Sequence, residues 1–292
     1  LDLRNDGGGS LIDAIDITGL FLESGPVVQV KASNGKIQVL CDDDASIEYS
    51  GPLVVLVNKF SASASEIVAA ALQDYQRAII VGGEHTFGKG TVQITRHLNK
   101  NLRTSVSNEI GDLGVLKLTI NKFYRITGGS TQYRGFAPDI VLPSLFQHQQ
   151  TGEKYLDYAL PWDQIEPVKY TSFRGTPFDL DMIRKMSLQR VERDPELQAI
   201  AKEAKLTGER SKQTTVSLKL TDFRQRMDAA REQRKSLSSQ FRNATTGLYD
   251  DEQVPATHEE DMKKDDVLSW KDAVKQDPYV REGMNIIGDM KR

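Results

Sequence analysis

Continuous apolar runs and alternating patterns divide the first half of the chain into strands and helices. Residues 51–58 (GPLVVLVN) and 77–83 (RAIIVGG) are apolar runs of the kind found in strands buried on both faces. The alanine-rich residues 65–76 between them are helical in composition, so the three segments predict a βαβ unit with parallel strands. The Asn34-Gly35 pair between PVVQVKA and KIQVL predicts a β-hairpin. We expect residues 114–143, rich in β-branched and aromatic side chains, to return strands to the same sheet.

The second half of the chain has fewer turn residues and more charged ones. Of the 22 glycines, 16 lie in residues 1–150 and 6 in residues 151–292. Residues 181–206 and 221–244 combine Arg, Lys, Glu, Gln and Leu at helical spacing, whereas residues 246–267 are polar enough for a loop or linker. We therefore predict an α/β region over residues 1–150 and a mainly helical region over residues 151–292. The charged faces of its helices suit either solvent or the docking of another chain.

Composition and charge narrow the classes of function. The net charge is −3 and 27% of the residues are charged, so no basic field favours a nucleic acid. The one cysteine, Cys41, precedes an acidic run that disfavours a thiolate, and the 4 histidines lack metal-ligand spacing, so we predict no metal site. No apolar run approaches the ~18 residues that span a bilayer. Because the chain starts at Leu1 inside a strand-like phrase, we expect it to be part of a longer protein.

Serines and a lysine follow the two strands of the predicted βαβ unit. Ser61, Ser63 and Ser65 lie between the first strand and the helix, and Lys89 follows the second strand within TFGKG. Because the carboxyl ends of parallel strands meet at one edge of a sheet, both loops are expected there. Unpaired N–H groups at the start of a helix can bind an oxyanion, and a lysine can act as a base when burial disfavours its charged form. The pattern is compatible with a serine nucleophile and a lysine base.

Two other interpretations of the same stretch stay open. GEHTFGKG is close to a phosphate-binding loop, but Gly90 replaces the serine or threonine that binds magnesium, and a strand-like TVQIT follows where that loop needs a helix. Alternatively, the serines cap the helix and the lysine lies exposed in a glycine turn. A Ser-His-Asp triad has less support, because no histidine has a paired acid in a recognisable arrangement.

Several phrases, in order, resemble the carboxyl-terminal processing peptidases. They are LDLRNDGGG, GPLVVLVNKFSASASEI, QDYQRAIIVG, TFGKGTVQ and GVLKLTINKFYRITGGSTQYRGFAPDI, which together cover most of residues 1–143. TGEKYLDYALPWD resembles the tail-specific subgroup of that family. The resemblance implies a ClpP/crotonase-like α/β core sheet with βαβ units, a Ser-Lys endopeptidase activity and no metal or organic cofactor. The PDZ module and the amino-terminal helical region typical of the family are not among these residues.

The resemblance also implies a catalytic pair. Ser63, the middle serine of SASASE, is the nucleophile, and Lys89 of FGKG is the base. Gln93, four residues after the lysine, orients it. Ser61 and Ser65 are then loop and cap residues. One departure from the family is an additional residue in the loop VGGEHTFGKG that precedes the lysine.

The oxyanion hole and two acidic positions come from the same resemblance. The backbone N–H of Ala64 and one from the glycine turn, that of Gly8 or Gly9, are expected to form the hole. Glu66 and Asp74 match acidic positions of the family and are expected to support the site. Both also have structural explanations, since Glu66 would stabilise the first turn of its helix through the macrodipole and Asp74 would bind nearby loops.

Partners and location follow from the resemblance alone. It implies protein substrates with apolar carboxyl-terminal tails, no nucleic acid and a periplasmic location in the cell envelope. It is compatible with a lipoprotein adaptor and with peripheral association with the membrane. Two alternatives stay open: a noncatalytic scaffold that binds protein partners, and a crotonase-type acyl-CoA enzyme that shares the sheet architecture.

Overall fold

The chain folds into two compact units. The computed structural model describes residues 1–101, 111–173, 178–215, 217–241 and 270–291. The first unit comprises residues 1–141 and 150–178, and the second comprises residues 142–149 and 179–292. Residues 150–178 therefore pack in the same unit as the strands and helices of the first half of the chain.

The first unit mixes helices with two sheets. In chain order its elements are α1 (Leu11–Gly19), β1 (Gly25–Ala32), β2 (Ile37–Asp42), β3 (Val54–Val57), α2 (Ala64–Asp74), β4 (Ile79–Gly82), β5 (Thr91–His97), a 3-10 turn (Leu98–Asn101), β6 (Val115–Tyr124), β7 (Ile140–Val141) and a 3-10 turn (Glu153–Tyr155). The strands form one sheet in the order β2-β1-β6-β5 and another in the order β3-β4-β7. The prediction of an α/β region followed by a helical region is confirmed.

The smaller sheet contains the predicted βαβ unit. β3 and β4 are parallel, with Val54 opposite Ile79 and Val57 opposite Gly82, and every residue of both strands is buried. α2 connects them and is buried continuously from Ala64 to Leu72. A helix that is buried on all sides lies inside the core, so the polar side chains of its first turn are held away from water.

The larger sheet corrects one prediction. The hairpin is confirmed, because β1 and β2 pair antiparallel on either side of Asn34-Gly35. Only β7 of residues 114–143 joins the parallel sheet, whereas β6 pairs antiparallel with β1 and β5. The prediction that all these strands return to one sheet was therefore wrong. The alternation of VLKLTINK in β6 is typical of an antiparallel strand with one solvated face. The first five residues of β6 are nevertheless exposed on both faces.

The first residues of the chain run beside β3. Asp2 forms a parallel bridge with Leu56, and the N–H of Leu3 donates to the carbonyl of Leu56 at 2.9 Å. The predicted LDLR strand is present as this short bridge. Since β3 leads into the serine loop, the pairing brings the glycine turn at residues 7–9 beside that loop.

The second unit is helical. Its helices are α3 (Leu180–Arg193), α4 (Pro195–Ser211), α5 (Leu220–Phe241), α6 (Trp270–Gln276) and α7 (Pro278–Asp289). Aspartates at positions 179, 194 and 277 accept backbone N–H groups at the starts of α3, α4 and α7, as good N-caps do. The segment 246–267, predicted as a loop or linker, lies outside the described residues.

A buried ion-pair cluster fixes two helices of the second unit. Arg190 of α3 binds Glu282 and Asp289 of α7, each at 2.7 Å, and these two carboxylates are 3% and 5% exposed.

None of the helices in the described parts of the chain is long and apolar enough to cross a membrane.

Candidate active site

Ser63 lies on a strained turn between β3 and α2. Its backbone has φ 59° and ψ −117°, a combination that is rare for a residue with a side chain. The side chain is half-buried, and Ala64 begins the helix immediately after it. Serine nucleophiles of other hydrolases occupy comparable strained turns from strand to helix, which expose the hydroxyl above the sheet.

Lys89 lies in the loop between β4 and β5, and its side chain is also half-buried. A Cβ on Gly88 would lie 2.8 Å from the N of Gly135, and one on Gly90 would lie 2.5 Å from the N of Gln132. The glycines on both sides of the lysine are therefore needed because residues 132–135 lie directly against the loop. β5 begins at Thr91, so a strand rather than a helix follows the loop, unlike a phosphate-binding loop.

Glu66 joins the serine loop to the lysine loop. Its Oε2 accepts the backbone N–H groups of Ser63 and Lys89, each at 2.9 Å. Its Oε1 accepts the N–H of Gly88 at 2.9 Å and the hydroxyl of Thr86 at 2.5 Å. The side chain is fully buried, which raises the pKa of Glu66 to about 7, and the donated hydrogen bonds oppose that rise. One carboxylate thus fixes the backbone at the predicted nucleophile and at the predicted base.

The side chains of the predicted pair are not joined by a hydrogen bond in the described structure. Among the residues that the structure describes, no hydrogen bond joins Ser63 Oγ to Lys89 Nζ. Catalytic hydrogen bonds are often long in the absence of substrate and shorten in the reactive complex. The backbone contacts through Glu66 therefore hold the two loops together while the lysine side chain keeps some freedom.

The glycine turn lies against the start of α2. A Cβ on Gly8 would lie 2.5 Å from the carbonyl O of Ala62 and 2.6 Å from the N of Ala64, so only glycine fits. The N–H of Gly8 donates to Asp6 Oδ1 at 2.9 Å. Within the described part of the chain, the N–H groups of Ala64 and Gly9 have no hydrogen-bond partner. Both N–H groups are therefore available as hydrogen-bond donors.

Two predicted site residues have contacts elsewhere. Gln93 of β5 is exposed and donates to Thr119 Oγ1 at 3.4 Å, with no bond to the lysine in the described structure. Asp74 lies at the end of α2 opposite to Ser63, roughly 16 Å away along the helix axis. There it forms a buried ion pair with Arg125 at 2.5 Å.

Asn58 is a positioning residue that sequence reasoning missed. Its Oδ1 accepts the N–H groups of Asn5 and Phe60, each at 3.0 Å, and its Nδ2 donates to Asn5 Oδ1 at 2.8 Å. Its own N–H donates to Ser61 Oγ at 2.9 Å, and that hydroxyl donates to the carbonyl of Leu3 at 2.7 Å. Asn58 thereby ties the start of the glycine turn to the serine loop. Its place directly after a buried strand is a signal for such a turn.

Comparison with known proteins identifies two family regions. The model for peptidase family S41 matches residues 1–142, and the model for the C-terminal domain of tail specific protease matches residues 146–292. The chain is 42% identical to the Tail-specific protease of Haemophilus influenzae over 265 residues, which is 89% of this chain and 37% of that protein. It is 36% identical to the carboxy-terminal processing protease CtpA of Bacillus subtilis over 141 residues, which is 48% of this chain and 27% of that protein.

A solved structure is also similar to part of this chain. The photosystem II D1 C-terminal processing protease is 34% identical, with a TM-score of 0.41, over 49% of this chain and 33% of that chain. This chain spans 37% or less of the length of these three relatives. The two family regions together cover nearly all of its residues. The chain therefore belongs to peptidase family S41 and carries the C-terminal domain of the tail-specific proteases.

Proposed function

We propose that this chain carries the catalytic centre of a serine endopeptidase with Ser63 as nucleophile and Lys89 as base. The observation that carries the proposal is the Glu66 carboxylate, which accepts a backbone N–H from each of these two residues. The strained backbone of Ser63 at the start of α2 supports the same assignment. Membership of a peptidase family sets the class of reaction.

The catalytic cycle proceeds in two halves. Neutral Lys89 takes the proton of the Ser63 hydroxyl as the oxygen attacks the peptide carbonyl, and the N–H groups of Ala64 and Gly9 bind the oxyanion. The lysine then gives that proton to the leaving amine, and the acyl group stays on the serine. Water, deprotonated by the same lysine, attacks the ester and releases the second product with the serine restored.

The remaining predicted residues act by positioning the serine, the lysine and the oxyanion donors. Gly8 allows the glycine turn to approach the start of α2, because a Cβ at this position would lie 2.6 Å from the N of Ala64. Gln93 orients the lysine when substrate is bound. Asp74 supports the site from a distance, because its ion pair with Arg125 holds the far end of α2.

The proposal also covers the substrates of the protein and its cellular location. The relatives are called tail-specific and C-terminal processing proteases, which supports proteins as substrates and their carboxyl-terminal tails as the recognised part. We extend this to apolar tails, to envelope proteins in the periplasm and to a lipoprotein adaptor. In the same proposal residues 1–150 form the protease core and residues 151–292 form the helical domain of the tail-specific type.

The test compares the full-length protein with its Ser63→Ala and Lys89→Ala variants on an unfolded reporter that ends in an apolar tail. We expect each substitution to abolish cleavage while leaving the thermal unfolding midpoint nearly unchanged. Lys36→Ala, at an exposed position of the β1–β2 hairpin, is the matched control and should cleave normally. An activated ester should leave an acyl adduct on Ser63, detectable by mass spectrometry. Cleavage that persists in either active-site variant would remove that residue from the mechanism and favour a noncatalytic role for this site.

A further inference from the structure

Residues 150–165, called the strap below, lie against the loop that carries Lys89. The N–H of Glu153 donates to the carbonyl of Phe87 at 2.9 Å. A Cβ on Gly152, whose φ is +133°, would lie 2.9 Å from the same carbonyl oxygen. The strap therefore contacts the lysine loop two residues before the proposed base, at a distance that only glycine permits.

Gln132 connects the strap to the other side of the same lysine. It is fully buried, and its Oε1 accepts the N–H of Gly90 at 2.8 Å. Its Nε2 donates to Glu153 Oε1 at 3.0 Å and to the carbonyl of Leu160 at 3.2 Å. One amide thus binds the residue after Lys89 at one end and the strap at the other.

The far end of the strap is fixed independently of the lysine loop. Asp163 binds Lys122 Nζ at 2.5 Å and the hydroxyl of Tyr124 at 3.0 Å, both on β6. The indole N–H of Trp162 donates to the carbonyl of Ser130 at 2.9 Å. Because these contacts anchor the strap to a sheet, its contacts with the lysine loop are made by a rigid element.

We propose that the strap positions the base, with Glu153 and Gln132 as its positioning residues. The proposal rests on the proposed role of Lys89. Residues 150–165 fall in the region that matches the C-terminal domain of tail-specific proteases, whereas Lys89 falls in the peptidase region. The C-terminal region therefore contributes to the geometry of the active site. A displacement of about 1 Å at a catalytic group can cost about a hundredfold in rate, so small movements of the loop matter.

The test removes one of the two acceptors that Gln132 Nε2 uses. Glu153 is half-buried, so the protein should stay folded when it is substituted. In Glu153→Ala we expect kcat for the tailed reporter to fall by about tenfold with KM within about twofold of the parent. Glu153→Gln keeps an oxygen for the Gln132 Nε2 and should restore kcat to within about twofold. Asp157→Asn, an exposed carboxylate on the same strap, is the control and should match the parent.

A second measurement separates positioning from a general loss of stability. The thermal unfolding midpoint of Glu153→Ala should stay close to that of the parent, so that the lower kcat is measured on folded protein. Parental kcat in Glu153→Ala, in an assay where Lys89→Ala is inactive, would overturn the role of the strap alone. Equal losses in the Ala and Gln variants would also overturn it. Cleavage that persists in Lys89→Ala would overturn the proposed base and the strap together.

Discussion

The substitution Glu66→Gln tests the link between the two loops, because it keeps the shape of the side chain and removes one acceptor oxygen. The carboxylate accepts Ser63 and Lys89 at one oxygen and Thr86 and Gly88 at the other. An amide can satisfy only one of these pairs with its oxygen, and its NH2 group faces the other pair. The Thr86 hydroxyl can turn to accept from that NH2, whereas a backbone N–H cannot. We therefore expect the amide oxygen to keep Ser63 and Lys89 and the N–H of Gly88 to lose its partner.

The cost follows from these contacts. A buried N–H without an acceptor costs about 1–3 kcal/mol, and hydrogen bonds to a charged acceptor contribute about 1.5–3 kcal/mol, more than those to an amide. These lost hydrogen bonds should lower the free energy of unfolding of the first unit by roughly 2–5 kcal/mol, and the neutral amide offsets part of that loss at pH 8 because it does not bury a charge. Because Gly88 adjoins Lys89, we also expect the acylation rate of Ser63 to fall by about a hundredfold.

The dependence on pH gives the prediction a second signature. Burial raises the pKa of Glu66 to about 7 from its ordinary value of 4.5. The folded protein then binds this proton more tightly than the unfolded chain, so the contribution of Glu66 to stability is full below pH 4.5 and is lost as pH rises through 7. That contribution is at most about 3 kcal/mol. The charged carboxylate of Glu66 accepts all four donors. The acylation rate of the parent should therefore increase as pH rises through 7, and this step should be absent in Glu66→Gln.

The assay is urea unfolding at pH 8 together with the rate at which an activated ester acylates Ser63 between pH 5 and 9. Glu23→Gln, at an exposed position, is the matched control and should behave as the parent. The reasoning is refuted if Glu66→Gln acylates Ser63 at the parental rate and keeps the step near pH 7.

Four further variants separate the site from the rest of the fold. Gly8→Ala should reduce acylation at least tenfold, because the Cβ would meet backbone atoms of the serine loop at 2.5 Å, whereas Gly9→Ala meets nothing within 4 Å and should keep most of the rate. Asp74→Asn should lower the unfolding free energy by about 2 kcal/mol through its contact with Arg125, while the folded fraction acylates at the parental rate. Arg190→Leu removes the arginine that pairs with two buried carboxylates of α7, so the helical unit should lose about 3–5 kcal/mol in urea unfolding monitored by helical circular dichroism.

Much of the local geometry of this fold could be predicted from the sequence. The apolar runs around residues 54 and 79 and the helix between them were enough to predict parallel strands, because a buried strand and a right-handed crossover leave few alternatives. The hairpin at Asn34-Gly35 was equally accessible. The sheet to which β6 belongs was not, since alternation indicates one solvated face without indicating a partner strand.

The long-range contacts of the site could not be predicted from the hydrophobic pattern or from the spacing of residues. Glu66 was expected to act on its own helix through the macrodipole, yet three of its four donors lie 20 or more residues away in the lysine loop. The glycines beside Lys89 correctly indicated a close approach. The segment that lies against these glycines is residues 132–135. A contact between residues more than 40 positions apart cannot be predicted from helix or strand propensity or from the spacing of residues in the sequence.

The contacts that fix this site act on backbone groups rather than on the side chains of the proposed catalytic pair. Glu66 binds N–H groups of both loops, Asn58 ties in the glycine turn, and Gln132 binds the N–H that follows Lys89. In the part of the chain that the structure describes, Lys89 Nζ has neither a hydrogen bond nor an ion pair, so its stem keeps rotamer entropy worth up to about 2 kcal/mol. The loops are set during folding, and a bound substrate has only to confine one side chain. A substitution that breaks one of these backbone contacts should therefore lower kcat more than it weakens the binding of substrate.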